Sequence, residues 1–151
     1  MPTPIRVCLV GAGRAGKVHA NTLTHQVPGG RLAGIVEAVP EALAAAQAEF
    51  GCDAGFSSLE AALEWGQFDA VVITTPTFTH APLALTAARA GKHILLEKPM
   101  ALTLAECDDI IAAAHAAGVH LQLGFMRRFD PEFEAAHARI QAGEIGQPML
   151  I

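Results

Sequence analysis

Short apolar segments alternate along the chain with longer, alanine-rich segments. The apolar segments have the length of β-strands and lie at residues 5–10, 32–36, 69–74, 93–97 and 119–123, with a shorter one at 54–57. The segment at 69–74 has consecutive apolar residues, Ala-Val-Val-Ile, as a strand covered on both faces requires. The segment at 119–123 alternates apolar and polar positions instead, which predicts a half-exposed strand near a sheet edge.

The alanine-rich segments predict helices at residues 14–26, 40–50, 58–65, 79–90, 103–117 and 131–142. Thr103 and Glu106 have the spacing of a capping box, and Asp130 precedes the last helix as a candidate cap. All but the first of these helices are followed directly by a glycine. Helix after strand, repeated along the chain, predicts an α/β fold: a doubly wound (Rossmann) parallel sheet with right-handed crossovers and helices on both faces.

The composition is that of one globular domain. The chain has 151 residues, of which 52% are hydrophobic and 17% charged, and this excludes a disordered chain. The formal net charge of −5 argues against binding to nucleic acid or to an anionic membrane surface. No apolar run approaches the roughly 20 residues that a membrane-spanning helix needs.

The cysteines and the first residues predict where the protein resides. Cys8, Cys52 and Cys107 lie far apart without a Cys-X-X-Cys pair, so we expect all three to be reduced and buried. Residues 1–20 show no signal-peptide pattern. These features predict a cytoplasmic protein. The His, Cys, Asp and Glu residues have no metal-ligand spacing, so we expect no metal site.

A glycine-rich loop follows the first predicted strand and begins the first predicted helix. Its residues are Gly11, Ala12, Gly13, Arg14, Ala15 and Gly16. In this pattern the first glycine permits a tight turn, the second lets backbone N–H groups approach a pyrophosphate, and the third lets the helix pack on the strand. The positive helix N-terminus favours the same phosphates. The loop predicts a dinucleotide site, and a tight turn without a ligand is the alternative.

Glu37 follows the second predicted strand and lies 21 positions after Gly16. An acidic residue at about this distance binds the 2′-hydroxyl of the adenosine ribose in dinucleotide-binding domains. Its carboxylate repels the 2′-phosphate of NADP, and no arginine follows to receive one. The sequence therefore favours NAD over NADP, with a surface glutamate as the alternative.

Three further loops open on the same edge of the predicted sheet, where such folds bind ligands. Thr74, Thr75 and Pro76 follow one strand and are expected to wall the cofactor cleft. His80 ends this loop, and it either faces the cofactor or only caps and packs its helix.

Lys98 and Arg127 are the candidate catalytic and substrate-binding groups of the remaining loops. Lys98 lies in the triplet Glu97-Lys98-Pro99, where it can accept or relay a proton beside a nicotinamide, and a solvated Lys–Glu pair is the alternative. Arg127 and Arg128 offer forked donors to an oxygen-rich ligand, and an ion pair that fastens the last helix is the alternative for both.

Taken together, the motifs resemble the Gfo/Idh/MocA family (glucose-fructose oxidoreductase, inositol dehydrogenase and rhizopine catabolism). The matching stretches are GAGRAGKVH at 11–19, TPTFTH at 75–80, EKPMALT at 97–103 and GFMRRFDP at 124–131, in the family's order and spacing. The last stretch looks most like the inositol 2-dehydrogenase branch, although relatives that act on other sugars share it. The chain has Thr77 where family members commonly have asparagine.

The resemblance implies NAD(P)-dependent oxidation of a secondary alcohol on a cyclitol or sugar. It implies that Lys98 hydrogen-bonds the reacting hydroxyl and that Glu97 holds the nicotinamide ribose. The Lys98–Pro99 peptide bond is often cis in relatives. Met126 and Arg127 match positions that line the substrate in inositol dehydrogenases.

The resemblance also implies a second α/β domain that supplies an Asp and a His, most of the sugar pocket and the oligomer interface. We expect residues 1–143 to form the dinucleotide-binding domain and 144–151 to turn into a new apolar strand that leads to the absent domain. The chain stops inside that strand, so we expect a truncated protein or an artificial boundary. Such a chain is expected to bind NAD and to turn over poorly or not at all, and a homo-oligomer is expected only with the second domain. A non-catalytic NAD-binding module or regulator and a non-functional remnant are the alternatives.

Overall fold

A single parallel sheet forms the centre of the molecule. The structure, a computed structural model, describes residues 3–147 and residue 149. The strands are β1 (Ile5–Val10), β2 (Gly30–Val36), β3 (Gly55–Phe56), β4 (Ala70–Ile73), β5 (His93–Leu96) and β6 (Leu121–Leu123). They lie in the order β3-β2-β1-β4-β5-β6, and every neighbouring pair is parallel. The predicted doubly wound sheet is confirmed, with β6 at an edge.

All of the predicted helices are present. They are α1 (Arg14–His25), α2 (Pro40–Phe50), α3 (Leu59–Trp65), α4 (His80–Arg89), α5 (Leu104–Ala117) and α6 (Pro131–Gln141), and 3₁₀ turns at Thr77–Thr79 and Met126–Phe129 precede α4 and α6. The capping box of Thr103 and Glu106 begins α5, and the Asp130 carboxylate accepts a hydrogen bond from the Glu132 N–H at the start of α6. These two helix starts could therefore be predicted from the sequence, because the capping side chains that stabilise them are recognisable there.

Alternate residues of the central strands enter the apolar layers on the two faces of the sheet. Cys8 and Val10 of β1 join the larger buried cluster, which contains residues of α3, α4 and α5. Val7 and Leu9 join a cluster with Ala20 of α1. Helices thus cover both faces of the sheet, because successive side chains of a strand point to opposite sides.

The amino-terminal ends of the strands are fastened by charged side chains. The Arg6 backbone N–H donates to Asp69 Oδ2 at 2.8 Å, and the guanidinium donates to both carboxylate oxygens at 3.1 and 2.8 Å. These hydrogen bonds lower the pKa of Asp69 from its ordinary 3.8 to about 2. Lys92 Nζ donates to the Phe68 carbonyl at 2.6 Å and lies 4.6 Å from the centre of the Phe68 ring. β1, β4 and β5 are therefore joined at their amino ends by side chains as well as by the sheet.

The last helix differs from the others because none of its residues is buried. Phe129, in the preceding turn, is 71% exposed and Phe133 on α6 is 52% exposed. The predicted turn after α6 is present at residues 142–145, while the predicted strand beyond it falls on 148, 150 and 151, outside the described residues. α6 thus stands beside the sheet domain without contributing to its core.

The cysteines agree only in part with the prediction. All three are free thiols, and Cys8 and Cys52 are buried, but Cys107 is half-buried on α5. Burial, with a smaller contribution from Cys52, raises the pKa of the Cys8 thiol to about 12. Among the described residues, no helix combines the length and the apolar character needed to cross a membrane.

Candidate cofactor and substrate site

The glycine-rich loop lies between β1 and α1, and its glycines differ in how closely other atoms approach them. Gly11 adopts a φ of +96°, a conformation that glycine permits. A Cβ on Gly16 would lie 2.0 Å from the Gly11 carbonyl oxygen, whereas a Cβ on Gly13 would meet nothing within 4 Å. The first turn of α1 has no side-chain cap. Its N–H groups therefore face open space beside Gly13, which fits the phosphates of a dinucleotide.

Thr74, at the end of β4, holds the glycine-rich loop from the neighbouring strand. Its hydroxyl donates a hydrogen bond to the Gly11 carbonyl oxygen, at 2.7 Å, and lies 3.1 Å from the Val10 carbonyl oxygen, which shares this donor. Since β1 and β4 diverge into different loops at this point, the contact fixes the two walls of the cleft relative to each other.

Glu37, at the end of β2, reaches back to the same loop. One carboxylate oxygen accepts a hydrogen bond from the Ala12 N–H at 2.9 Å, and the other accepts from the Val39 N–H at 3.1 Å. Each oxygen keeps further capacity to accept, because an ionised carboxylate has about four acceptor positions. The carboxylate is thus held in place with acceptor positions left for ribose hydroxyls.

A cavity of about 530 Å³ lies between these loops. Six residues of the predicted cofactor site line it: Gly11, Gly13, Glu37, Thr74, Thr75 and Pro76. Ala12 is buried behind the cavity, and Arg14 and Ala15 lie exposed on the first turn of α1. The size and position of the cavity suit the adenosine half of a dinucleotide at the carboxyl ends of the strands.

His80 lies beneath the cleft rather than in its wall. Its side chain is 1% exposed, with Nδ1 2.8 Å from the Pro99 carbonyl oxygen and Nε2 2.8 Å from the Thr75 carbonyl oxygen. The ring thus joins the loop after β4 to the loop after β5. Of the two roles considered for this histidine, the geometry favours packing over contact with a cofactor.

The Glu97–Pro99 triplet follows β5, and its Lys98–Pro99 bond is cis, as the family resemblance implied. The Glu97 carboxylate lies 2.9 Å from His19 Nε2 on α1, and its other oxygen accepts from the Lys98 N–H at 3.2 Å. Lys98 itself is exposed. The carboxylate is therefore fixed while the lysine side chain remains accessible.

A second cavity, of about 520 Å³, lies beside Lys98. The residues after β6 complete it: Gly124, Phe125, Met126, Arg127 and Arg128. Arg127 donates to Asp130 at 2.7 Å and lies 4.8 Å from the centre of the Phe133 ring. This hydrogen bond lowers the pKa of the Asp130 carboxyl. The ion pair that was the alternative role for the arginines is thus made by Arg127, which also lines the cavity.

Several residues that line the first cavity were not predicted from the sequence. Ser57, Ser58, Leu59 and Glu60 line the first cavity from the loop and helix after β3. The predicted short strand at 54–57 already indicated a further loop on this edge, but it was assigned no role. On the other wall, Thr79, Pro82, Leu83 and Thr86 of the β4–α4 region complete the lining.

The fold and the first cavity define a class of protein: a Rossmann domain with a glycine-rich dinucleotide loop. The model of the Gfo/Idh/MocA family, described as an oxidoreductase family with an NAD-binding Rossmann fold, matches residues 5–125. The chain belongs to this family. It contains the family's NAD-binding domain, and the predicted cofactor, NAD, agrees with this assignment.

The curated relatives include inositol dehydrogenases. The chain is 38% identical over 149 residues to the NAD⁺-dependent scyllo-inositol 2-dehydrogenase of Bacillus subtilis, covering 99% of this chain and 44% of the relative. It is 39% identical over 148 residues to an inositol 2-dehydrogenase of Rhizobium meliloti, covering 97% and 44%. The chain thus spans less than half the length of these relatives.

Solved structures of the family superimpose closely on the chain. The scyllo-inositol dehydrogenase of Lactobacillus casei, solved with NAD(H) and scyllo-inositol, matches with a TM-score of 0.90 and 32% identity, over 96% of this chain and 43% of that one. The WlbA dehydrogenase of Bordetella pertussis, solved with NADH and UDP-GlcNAcA, matches with a TM-score of 0.90 and 34% identity, over 97% and 42%.

Proposed function

We propose that this chain is the cofactor-binding part of an NAD-dependent dehydrogenase that acts on a secondary alcohol of a cyclitol or sugar. The observation that carries the proposal is the convergence of a glycine-rich loop, the Glu37 carboxylate held against it and an accessible lysine on one edge of the sheet. The similarity to inositol dehydrogenases supports the substrate class. In this proposal, residues 1–143 form the NAD-binding domain and residues 144–151 belong to the connection with a substrate domain.

The chain's own residues have separate roles in this proposal. The Gly11–Gly16 loop and the N-terminus of α1 hold the pyrophosphate, Glu37 holds the adenosine ribose, and Glu97 holds the nicotinamide ribose. When bound, NAD accepts or returns the hydride. Lys98 hydrogen-bonds the substrate hydroxyl and helps to move its proton, while Met126 and Arg127 line the substrate. The remaining catalytic groups would come from a region that corresponds to the part of the relatives beyond this chain.

Glu37 provides the test of cofactor binding and of the preference for NAD. The Glu37→Gln side chain has one oxygen, so it cannot accept from the Ala12 and Val39 N–H groups together and still face a ribose. We expect its affinity for NAD⁺ to fall about tenfold, the effect of losing one hydrogen bond to a charged group. Its discrimination against NADP⁺ should also fall, since the repulsive charge is removed. Isothermal titration calorimetry with both cofactors measures these changes.

Glu64→Gln is the matched control, because Glu64 is exposed on α3 and does not line the first cavity. The cofactor assignment for Glu37 is refuted if Glu37→Gln and Glu64→Gln bind NAD⁺ equally well. Inositol-dependent reduction of NAD⁺ by the chain would exclude a purely non-catalytic NAD-binding module. NAD⁺ binding without reduction is the result expected of the cofactor-binding part alone.

A further inference from the structure

Two histidines hold the Glu97–Pro99 triplet from opposite ends, and neither has a part in the function proposed above. His19 lies on α1, three residues after the glycine-rich loop, and its Nε2 is 2.9 Å from Glu97 Oε1. The two side chains are 26% and 17% exposed, so water screens their interaction only in part. The contact connects the helix behind the phosphate loop to the end of β5.

The Glu97 carboxylate is restricted on its remaining sides. Its Oε2 accepts a hydrogen bond from the Lys98 N–H at 3.2 Å. A Cβ on Gly124 would lie 3.0 Å from Glu97 Oε1, closer than most real contacts of this kind. The backbone at the end of β6 therefore packs directly against the carboxylate, and among the described residues His19 makes its only imidazole hydrogen bond.

His80 holds the other end of the triplet. Its buried ring connects the Pro99 carbonyl to the Thr75 carbonyl, each at 2.8 Å. A buried polar side chain is costly unless its hydrogen bonds are made. A displacement of Pro99 would leave the ring without this partner, so the ring resists that displacement.

Lys98, between the two held residues, is exposed and lines the second cavity. We propose that His19 and His80 are positioning residues that fix the Glu97–Pro99 segment, and so determine where Glu97 and Lys98 stand at the nicotinamide end of the site. This inference rests on the proposed function for the roles of Glu97 and Lys98. Groups that act on a ligand need supporting contacts to rigid elements, and α1 and α4 provide them here.

The test compares a ligand that reaches the triplet with one that does not. On the proposed function, ADP would reach the Gly11–Gly16 loop and Glu37, whereas NAD⁺ would also extend to Glu97. We expect His19→Leu to weaken NAD⁺ binding about tenfold and ADP binding less than about twofold, because a single charge-assisted hydrogen bond is removed at one end. His19→Gln retains a donor for Glu97 and should recover most of the lost affinity. His80→Leu should likewise lose more affinity for NAD⁺ than for ADP, and in His80→Gln this difference should be smaller.

A second readout does not depend on any ligand. In the ¹⁵N-labelled chain, the Lys98 amide signal reports its hydrogen bond to Glu97, so it should move in His19→Leu and return toward its original position in His19→Gln. His115→Leu is the control, since His115 is exposed on α5. Circular dichroism melts establish that each variant is folded, and if His80→Leu is not, His80→Gln replaces it.

Equal losses of NAD⁺ and ADP affinity, or a Lys98 amide signal that stays in place in His19→Leu, would overturn the positioning role. A wild-type chain that binds neither NAD⁺ nor ADP would overturn the proposed function instead, while the Lys98 signal would still test whether His19 holds the triplet.

Discussion

Gly13 and Gly16 belong to the same loop but have different surroundings, so their replacement separates stability from ligand binding. A Cβ at position 16 would lie 2.0 Å from the Gly11 carbonyl oxygen and 2.9 Å from Thr74 Oγ1. We expect Gly16→Ala to lower the free energy of unfolding by about 1–3 kcal/mol, the usual cost of overpacking. Urea denaturation measures this change.

Gly13→Ala is the matched comparison, because its Cβ would meet no atom within 4 Å. This variant should have a urea midpoint of unfolding close to that of the wild type. It should nevertheless lose NAD⁺ affinity, since the methyl group enters the space that a phosphate needs. Equal destabilisation of the two variants would contradict this account of the loop.

The Arg6–Asp69 ion pair connects β1 to the start of β4, and it makes stability depend on acid. The pKa of Asp69 is about 2, below its ordinary 3.8, because Arg6 hydrogen-bonds the ionised form. The stabilisation is fully present above the ordinary value and is lost as the pH falls toward 2. Asp69→Asn should therefore be less stable than the wild type near neutral pH, with a difference that shrinks as the pH falls from about 4 to about 2.

Urea denaturation at a series of pH values checks this dependence. The side chains of the pair are 42% and 40% exposed, so solvent screening keeps the effect modest. Glu144→Gln removes one partner of another exposed ion pair, with Arg139 on α6, and serves as the control. A difference between Asp69→Asn and the wild type that stays constant down to pH 2 would count against the ion pair.

Element positions could be predicted from the sequence because each leaves a local signal. Apolar runs located the strands, and Thr103 with Glu106 located the start of α5 by a contact between near neighbours. The 3₁₀ turn at Met126–Phe129 was missed, since four residues carry no periodicity.

The position of the candidate loops could be predicted from the sequence for the same reason, while their roles stay a prediction. The Gly11–Gly16 loop, Glu37 and the lysine triplet follow strands, and a parallel sheet brings such loops to one edge. His19 was not assigned to it because its partner, Glu97, lies 78 positions away. Likewise, the sequence left the role of His80 open because the two carbonyls that decide it belong to different loops.

Across the whole molecule, local stability should decrease from the central strands to the last helix. β1 and β4 each pair with a strand on both sides, whereas α6 has no buried residue. We expect backbone amides of β1 and β4 to exchange with deuterium most slowly and those of α6 fastest among the helices, because exchange follows the free energy of local opening.

Amide exchange followed by NMR, or by mass spectrometry of peptides, measures this order. α4 provides the internal comparison, since Ala81, Ala84, Ala87 and Ala88 are buried in it. Protection of α6 equal to that of α4 would mean that α6 is held by contacts beyond those described.

The fastening of the strands at their amino ends has a consequence for how such a domain can change over generations. Arg6–Asp69 and Lys92–Phe68 lie at the end of the sheet opposite to the ligand loops. We expect substitutions there to alter heat tolerance while the cleft keeps its shape, because effects at well-separated sites add nearly independently. Adaptation to a new temperature and adaptation to a new ligand can therefore proceed in the same lineage without one undoing the other.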